Sequence, residues 1–333
     1  MCVWSFALAR LCEVEIRWDM FLKNFLLTPI LPVLLFCIGC NSFKKSSIEV
    51  VDTHVHVYDI HREDGIPWPP KDDSTLFRES MPENFIPVAK ANGVRKVVVV
   101  QAGDRLTDNQ WNLDITKKHE ELFVGVVGNM PNIGTPEFRP MLIRLAKDPR
   151  YVGFRISGRP NNRKLFSGSI WEDLQLTSDL GLTLDLLMNN HTVNIGFDEV
   201  ETIAKKYPDL KIVMNHVGGY PIDGGNIESN WSKRFEEIAR NENVFCKVSA
   251  LLERSVIRPY SFEPTDYRSV LDFLLEIFGE DRLIYGSDWP VTKRSGLYAK
   301  HKALVTHYFT KKGQETLKKV MYENALKVYG MNQ

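Results

Sequence analysis

From residue 48 onward, short runs of Val, Ile, Leu and Phe alternate with longer segments whose apolar residues recur every three or four positions. The runs at 48–54, 95–101, 122–128, 151–156, 182–188, 211–215, 244–249 and 282–286 predict strands. The segments near 82–92, 109–120, 137–147, 169–180, 197–207, 230–242 and 265–279 predict helices, with a last one at 313–329. Ser169 and Thr265 stand where helix N-caps belong, and Gly93 and Gly181 follow helical stretches. Eight strands, each followed by a helix, predict an α/β fold of the (β/α)8 TIM-barrel type, in one domain over residues 48–333. An open doubly wound sheet would need a glycine-rich phosphate loop after the first strand, and His54 and His56 occupy that place. The longest connection, 57–81, carries Trp68-Pro69-Pro70 and is expected to lid the barrel mouth.

The segment ahead of this pattern reads differently. Lys23 precedes an apolar stretch, Phe25 to Ile38, that ends at Gly39-Cys40. A positive start, a short apolar run and a small residue before the cut are the marks of an export signal over residues 1–40. Gly39-Cys40 resembles a lipoprotein processing site, with residues 41–47 as a polar tether and residues 1–19 as a misassigned start before Met20. The expectation is an exported, lipid-anchored protein outside the cytoplasmic membrane of a bacterium. Four of the five cysteines lie in this leader, so the body can form no internal disulfide. Lys plus Arg and Asp plus Glu both number 42, which removes any charge argument for nucleic acid or an anionic surface.

In a barrel the chemistry sits at the C-terminal strand ends. The first strand ends in Asp52-Thr53-His54-Val55-His56, and alternation places Asp52, His54 and His56 on one face. The sixth strand ends at His216 and the eighth at Asp288-Trp289-Pro290, so three histidines and an aspartate converge on one rim. Imidazoles with a carboxylate suit one divalent metal, zinc first, whose bound water ionises near neutral pH. Asp288 is the expected general base. Arg155 and Lys247 offer cations to a substrate carboxylate or an oxyanion, and His191 and Trp289 complete the expected substrate contacts. Asp52 is read as supporting the strand. His61, His119, His301 and His307 are read as surface residues, and Cys246 as a core thiol.

The blocks Asp52-Thr53-His54-Val55-His56, Gly153-Phe154-Arg155, Asn215-His216-Val217-Gly218, Cys246-Lys247-Val248-Ser249 and Tyr285-Gly286-Ser287-Asp288-Trp289-Pro290-Val291 resemble, in order, those of the amidohydrolase-2 family. The wording is closest to its sugar and dicarboxylate lactonases, such as those acting on L-fuconolactone and L-rhamnonolactone. The resemblance implies a metal-dependent-hydrolase barrel with His54 and His56 as first-strand ligands or carbonyl polarisers. It also implies His216 as the sixth-strand histidine, Asp288 as the base and Arg155 as a substrate contact. The family often carries Asp before its sixth-strand histidine, where this chain has Asn215. No lysine of the kind carbamylated in binuclear relatives follows the fourth strand, so one metal is expected. Some lactonases of the group work without metal, and that route stays open.

Three functions follow as expectations. The leading one is a hydrolase opening the lactone of a sugar acid or dicarboxylic acid, with a small acidic or sugar-derived substrate. The second is a metal-dependent decarboxylase of an aromatic or unsaturated acid on the same barrel. The third is a non-catalytic lipoprotein that binds a sugar acid. The oligomeric state is not legible from the residues.

Overall fold

The computed structural model describes residues 48–157, 168–188 and 196–331. The expected leader, tether and lipidation site lie outside the described residues, as does His191. No described helix is long and apolar enough to cross a membrane.

Eight strands form one sheet in sequence order: β1 (Val50–Val55), β2 (Val94–Val100), β3 (Phe123–Asn129), β4 (Tyr151–Ile156), β5 (Thr183–Leu186), β6 (Ile212–Met214), β7 (Val244–Val248) and β8 (Leu283–Tyr285). Every neighbouring pair is parallel. Each strand is buried on both faces apart from the start of β2 and the half-buried Val124 in β3, as expected of parallel strands covered by helices. The helices around them include α1 (Pro82–Ala91), α2 (Asp108–Thr116), α3 (Phe138–Leu145), α4 (Ile170–Asp179), α5 (Phe197–Lys206), α6 (Ser229–Ala239), α7 (Leu251–Arg254) and α8 (Arg268–Phe278). After β8 come α9 (Tyr298–Lys312), α10 (Gln314–Lys318) and α11 (Asn324–Val328).

Closure is made where the first strand meets the segment after the last. The Asp288 N–H donates to His54 O at 2.9 Å and the His56 N–H to Trp289 O at 2.7 Å. Thr53 Oγ1 donates to Tyr285 O at 2.6 Å, and Asp52 Oδ1 accepts the Ser287 N–H at 2.8 Å. Inside the ring, Val98, Val100, Val127, Val152, Val213, Phe245 and Ile284 pack with Val328 and Tyr329 from the chain's last turn. Gly286 keeps this wall open at the rim. A Cβ there would meet His54 Cβ at 2.8 Å and Ser249 Cβ at 3.3 Å.

Two elements differ from expectation. The helix α9 was not anticipated, because its inner face is built largely from Tyr298, His301 and Tyr308 beside Leu304, Val305 and Phe309. The register of β1 with β2 slips between Asp52 and Val55. His54 and His56 nevertheless both bring Nε2 within 3.5 Å of Asp288 Oδ1.

Candidate active site

His54 and His56 leave the end of β1, His216 follows β6, and Asp288 follows β8. Among the described residues, four non-glycine residues have positive φ: His216 (51°), Val217 (50°), Ala250 (53°) and Asp288 (61°). All lie at the ends of β6, β7 and β8. Left-handed backbone costs a side-chain-bearing residue about 1–2 kcal/mol, and such outliers gather where a site over-determines the chain. The strain aims His216 and Asp288 inward.

Asp288 Oδ1 lies 3.5 Å from His54 Nε2, 3.3 Å from His56 Nε2 and 3.8 Å from His216 Nε2. One ligand atom each from His54, His216 and Asp288 falls within a 4.8 Å cluster. A tetrahedral zinc site with 2.0–2.1 Å bonds has ligand-to-ligand edges of about 3.4 Å. The spacing fits that cage.

The outer nitrogens set the tautomers. His56 Nδ1 donates to Val100 O at 2.7 Å; the carbonyl can only accept, so in the neutral ring Nε2 presents a lone pair to Asp288. His216 Nδ1 pairs with Ser249 Oγ at 2.9 Å, and that hydroxyl also takes the His216 N–H at 3.3 Å. This is the support usual around metal-binding histidines. His54 is fully buried, and neither of its ring nitrogens has a hydrogen-bond partner. A buried orphan of this kind is costly unless something else satisfies it.

Burial is the first cause of the weak basicity of His54 and His216. It drives His54 well below the ordinary range, helped by the charges of His216 and Lys247. It pushes His216 down to about 3 against the pull of Asp288. For Asp288, burial works against ionisation, but His216, His56 and Arg155 outweigh it and hold the carboxyl below the usual range. At neutral pH the rim thus offers imidazole lone pairs around an ionised carboxylate, a set suited to a divalent cation.

Arg155 also reaches the rim. It is 5% exposed, donates to Gln101 O at 2.7 Å, and has a buried Nε with no partner. Trp68 from the 57–81 connection lies with its ring centroid 5.5 Å from that of His56, so this loop does cover one side of the site.

Other expected site residues are placed elsewhere. Lys247 is fully buried inside the barrel; its Nζ donates to Asp185 Oδ2 at 2.6 Å and to Thr53 O at 2.9 Å, leaving it no reach to a substrate. Trp289 is 2% exposed and packs its ring on Phe85, 4.9 Å between centroids. Its backbone, not its indole, serves the site through His56. Asp52 stands outside the ligand cluster: Oδ1 accepts the His54 N–H at 3.1 Å as well as that of Ser287, and burial raises its pKa to about 6. It orients His54 from behind. His301 is a core residue rather than a surface one; Nε2 accepts the Leu251 N–H at 3.3 Å and burial lowers its pKa to about 4. Cys246 is buried and burial pushes its thiol pKa up, as a core thiol should behave.

The sequence reading passed over α7. Glu253 accepts from Ser295 Oγ, and burial followed by the charge of Asp288 raises its pKa to about 7. Arg254 is partly buried, and burial lowers its pKa against the pull of Asp288 and Glu253. An adjacent acid–base pair just past the Lys247-Val248-Ser249 block was the available signal.

Barrel, ligand cluster and strained strand ends together define a metal-dependent-hydrolase type of site. The chain belongs to the amidohydrolase family Amidohydro_2, whose model matches residues 51–331, and it is an enzyme of the hydrolase class. It is 29% identical over 256 residues to an L-fucono-1,5-lactonase of Burkholderia ambifaria, covering 76% of this chain and 84% of that one. Among solved structures it resembles an amidohydrolase of Burkholderia multivorans with bound zinc, at TM-score 0.70 and 20% identity over 85% of this chain and all of that one. A probable 2-pyrone-4,6-dicarboxylic acid hydrolase of Acinetobacter baumannii with citric acid bound aligns at TM-score 0.65 and 18% identity, over 85% of this chain and all of that one. These two likenesses establish the barrel.

Proposed function

We propose that the protein is a lactonase that opens the cyclic ester of a sugar acid or dicarboxylic acid by attack of water. The observation that carries this reading is the convergence of three imidazoles on Asp288 within 3.8 Å at a strained barrel rim. The lactonase relative supports the substrate class. His54, His56, His216 and Asp288 would hold one divalent cation, zinc by donor type. When bound it supplies Lewis acidity and a water of lowered pKa.

The chain's own groups do the rest. Asp288, kept ionised, accepts the proton of the attacking water and returns it to the ring oxygen as the ester C–O bond breaks. Arg155 turns an open donor toward the oxyanion that develops on the carbonyl oxygen. Trp68 and its loop limit water on one side. With Nδ1 engaged by Val100 O, His56 presents only Nε2 to the site.

The test is a panel of sugar-acid lactones incubated with zinc-loaded protein at constant pH, with acid release followed by titration and metal content measured in parallel. Turnover of at least one lactone with about one metal per chain is expected. Carbon dioxide in place of acid would assign a decarboxylase, and a folded protein that turns over no lactone would sink the reading.

A further inference from the structure

We propose that Arg254 is a specificity-determining residue that binds a carboxylate carried by the substrate, so that the preferred lactone is an acidic one. The inference rests on the lactonase reading and narrows its substrate class.

Arg254 is held at the mouth by its backbone. Its carbonyl accepts the Ile222 N–H at 2.9 Å, and the Val256 N–H donates to Ile222 O at 2.8 Å, tying α7 to the segment that follows His216. On its other flank, Glu253 is tied to Ser295, in the segment that follows Asp288. The guanidinium between these anchors lies within electrostatic reach of both Asp288 and His216.

Among the described residues the guanidinium forms no hydrogen bond, no ion pair and no stacking contact, and its Nε is buried without an acceptor. The adjacent carboxylate does not serve it, since Glu253 turns to Ser295. Arg155, also at the rim, has a second buried Nε without a partner. Buried donors of a charged group left open are expensive, and a guanidinium fork matches a carboxylate in two-point geometry. An uncharged sugar lactone brings the reacting carbonyl to Arg155 but no carboxylate to match the fork of Arg254.

The charge balance agrees. Lys247 is neutralised by Asp185 inside the barrel. Two guanidiniums then face Asp288 and a Glu253 whose own ionisation is opposed by burial. A mouth of this composition selects an anion, with Arg155 serving the reacting carbonyl and Arg254 the distant carboxylate.

The experiment compares kcat/KM of the zinc-loaded enzyme on a neutral lactone, L-fucono-1,5-lactone, and on an acidic one, D-glucaro-1,4-lactone. The wild type should prefer the acidic lactone. Arg254→Gln should lower kcat/KM for it about 100-fold, mainly through KM, while the neutral lactone changes by less than about threefold. Arg254→Lys should recover part of the loss, because it restores charge without the fork. A wild-type preference for the neutral lactone, equal losses on both, or no loss on either overturns the proposal. If the wild type opens neither these two nor any other lactone of the panel, the lactonase reading has failed, and binding decides the role of Arg254. D-glucarate should then raise the melting temperature of the wild type and not of Arg254→Gln; equal shifts, or none in the wild type, overturn it.

Discussion

Two polar clusters lie inside this barrel, and they are finished to different degrees. Deep in the ring, Asp185 accepts from Lys247 Nζ at 2.6 Å, Asn215 Nδ2 at 3.0 Å and Tyr329 Oη at 3.1 Å, while Lys247 also reaches Thr53 O. Both charged partners there are met by protein. At the rim, His54 has two orphan nitrogens, and Arg155 and Arg254 each leave Nε open. Burial is similar in both places, so burial alone does not distinguish them. The ionisable groups do: Asp185 and Lys247 have protein partners although Asn215 Oδ1 beside them has none, whereas His54, Arg155 and Arg254 keep open atoms for something that arrives later.

Asp288→Asn is the sharpest way to break that contrast. It should lower kcat by about 10³-fold or more, since general-base help is worth roughly 10²–10⁴. The melting temperature should hold, because Asn tolerates the left-handed backbone of position 288 at least as well. Activity and stability falling together would move Asp288 to the structural side.

The opposite pattern is expected of Lys247→Met. Asp185 would be left as an uncompensated buried charge, costing about 3–5 kcal/mol in urea unfolding. The rate per folded molecule should stay within about tenfold. A double change, Lys247→Met with Asp185→Leu, should regain most of the stability. A large rate loss with normal unfolding would give Lys247 back a place in the chemistry.

The smallest effect belongs to His301, a buried imidazole that, unlike His54, has a hydrogen bond. Its folded pKa of about 4 lies below the ordinary value near ~6.5. Between those values the unfolded chain binds a proton that the native one refuses. Stability from this residue is therefore present above pH ~6.5 and lost as pH falls toward 4, on the order of 2–3 kcal/mol. His301→Gln should flatten that part of the urea-midpoint profile, and an unchanged slope would remove His301 as its source.

The barrel was largely legible in the chain because Val- and Ile-rich runs separated by amphipathic segments leave few alternatives. The convergence of His54, His56 and His216 on Asp288 was legible for a related reason: each stands at or just past the end of the apolar run of its strand. What the pattern does not carry is depth. Lys247 and Ser249 share a face of β7, yet Ser249 supports His216 while Lys247 sits lower, in the floor network. Nor does the pattern reveal the slip in the pairing of β1 with β2 between Asp52 and Val55. The α9 helix was hidden by polar-named core residues, Tyr298, His301 and Tyr308. Arg254 was hidden by its setting on a four-residue helix in what reads as a loop.

The closing hydrogen bonds between residues 52–56 and 285–289 join positions more than 230 apart in the chain. During synthesis, then, His54 and His56 wait for nearly the whole polypeptide before Asp288 can meet them. No shorter fragment from the start of the barrel holds the full ligand set, and long-range pairing of this kind is the slow part of folding. Activity is consequently expected only of molecules in which residues 285–289 have paired with 52–56.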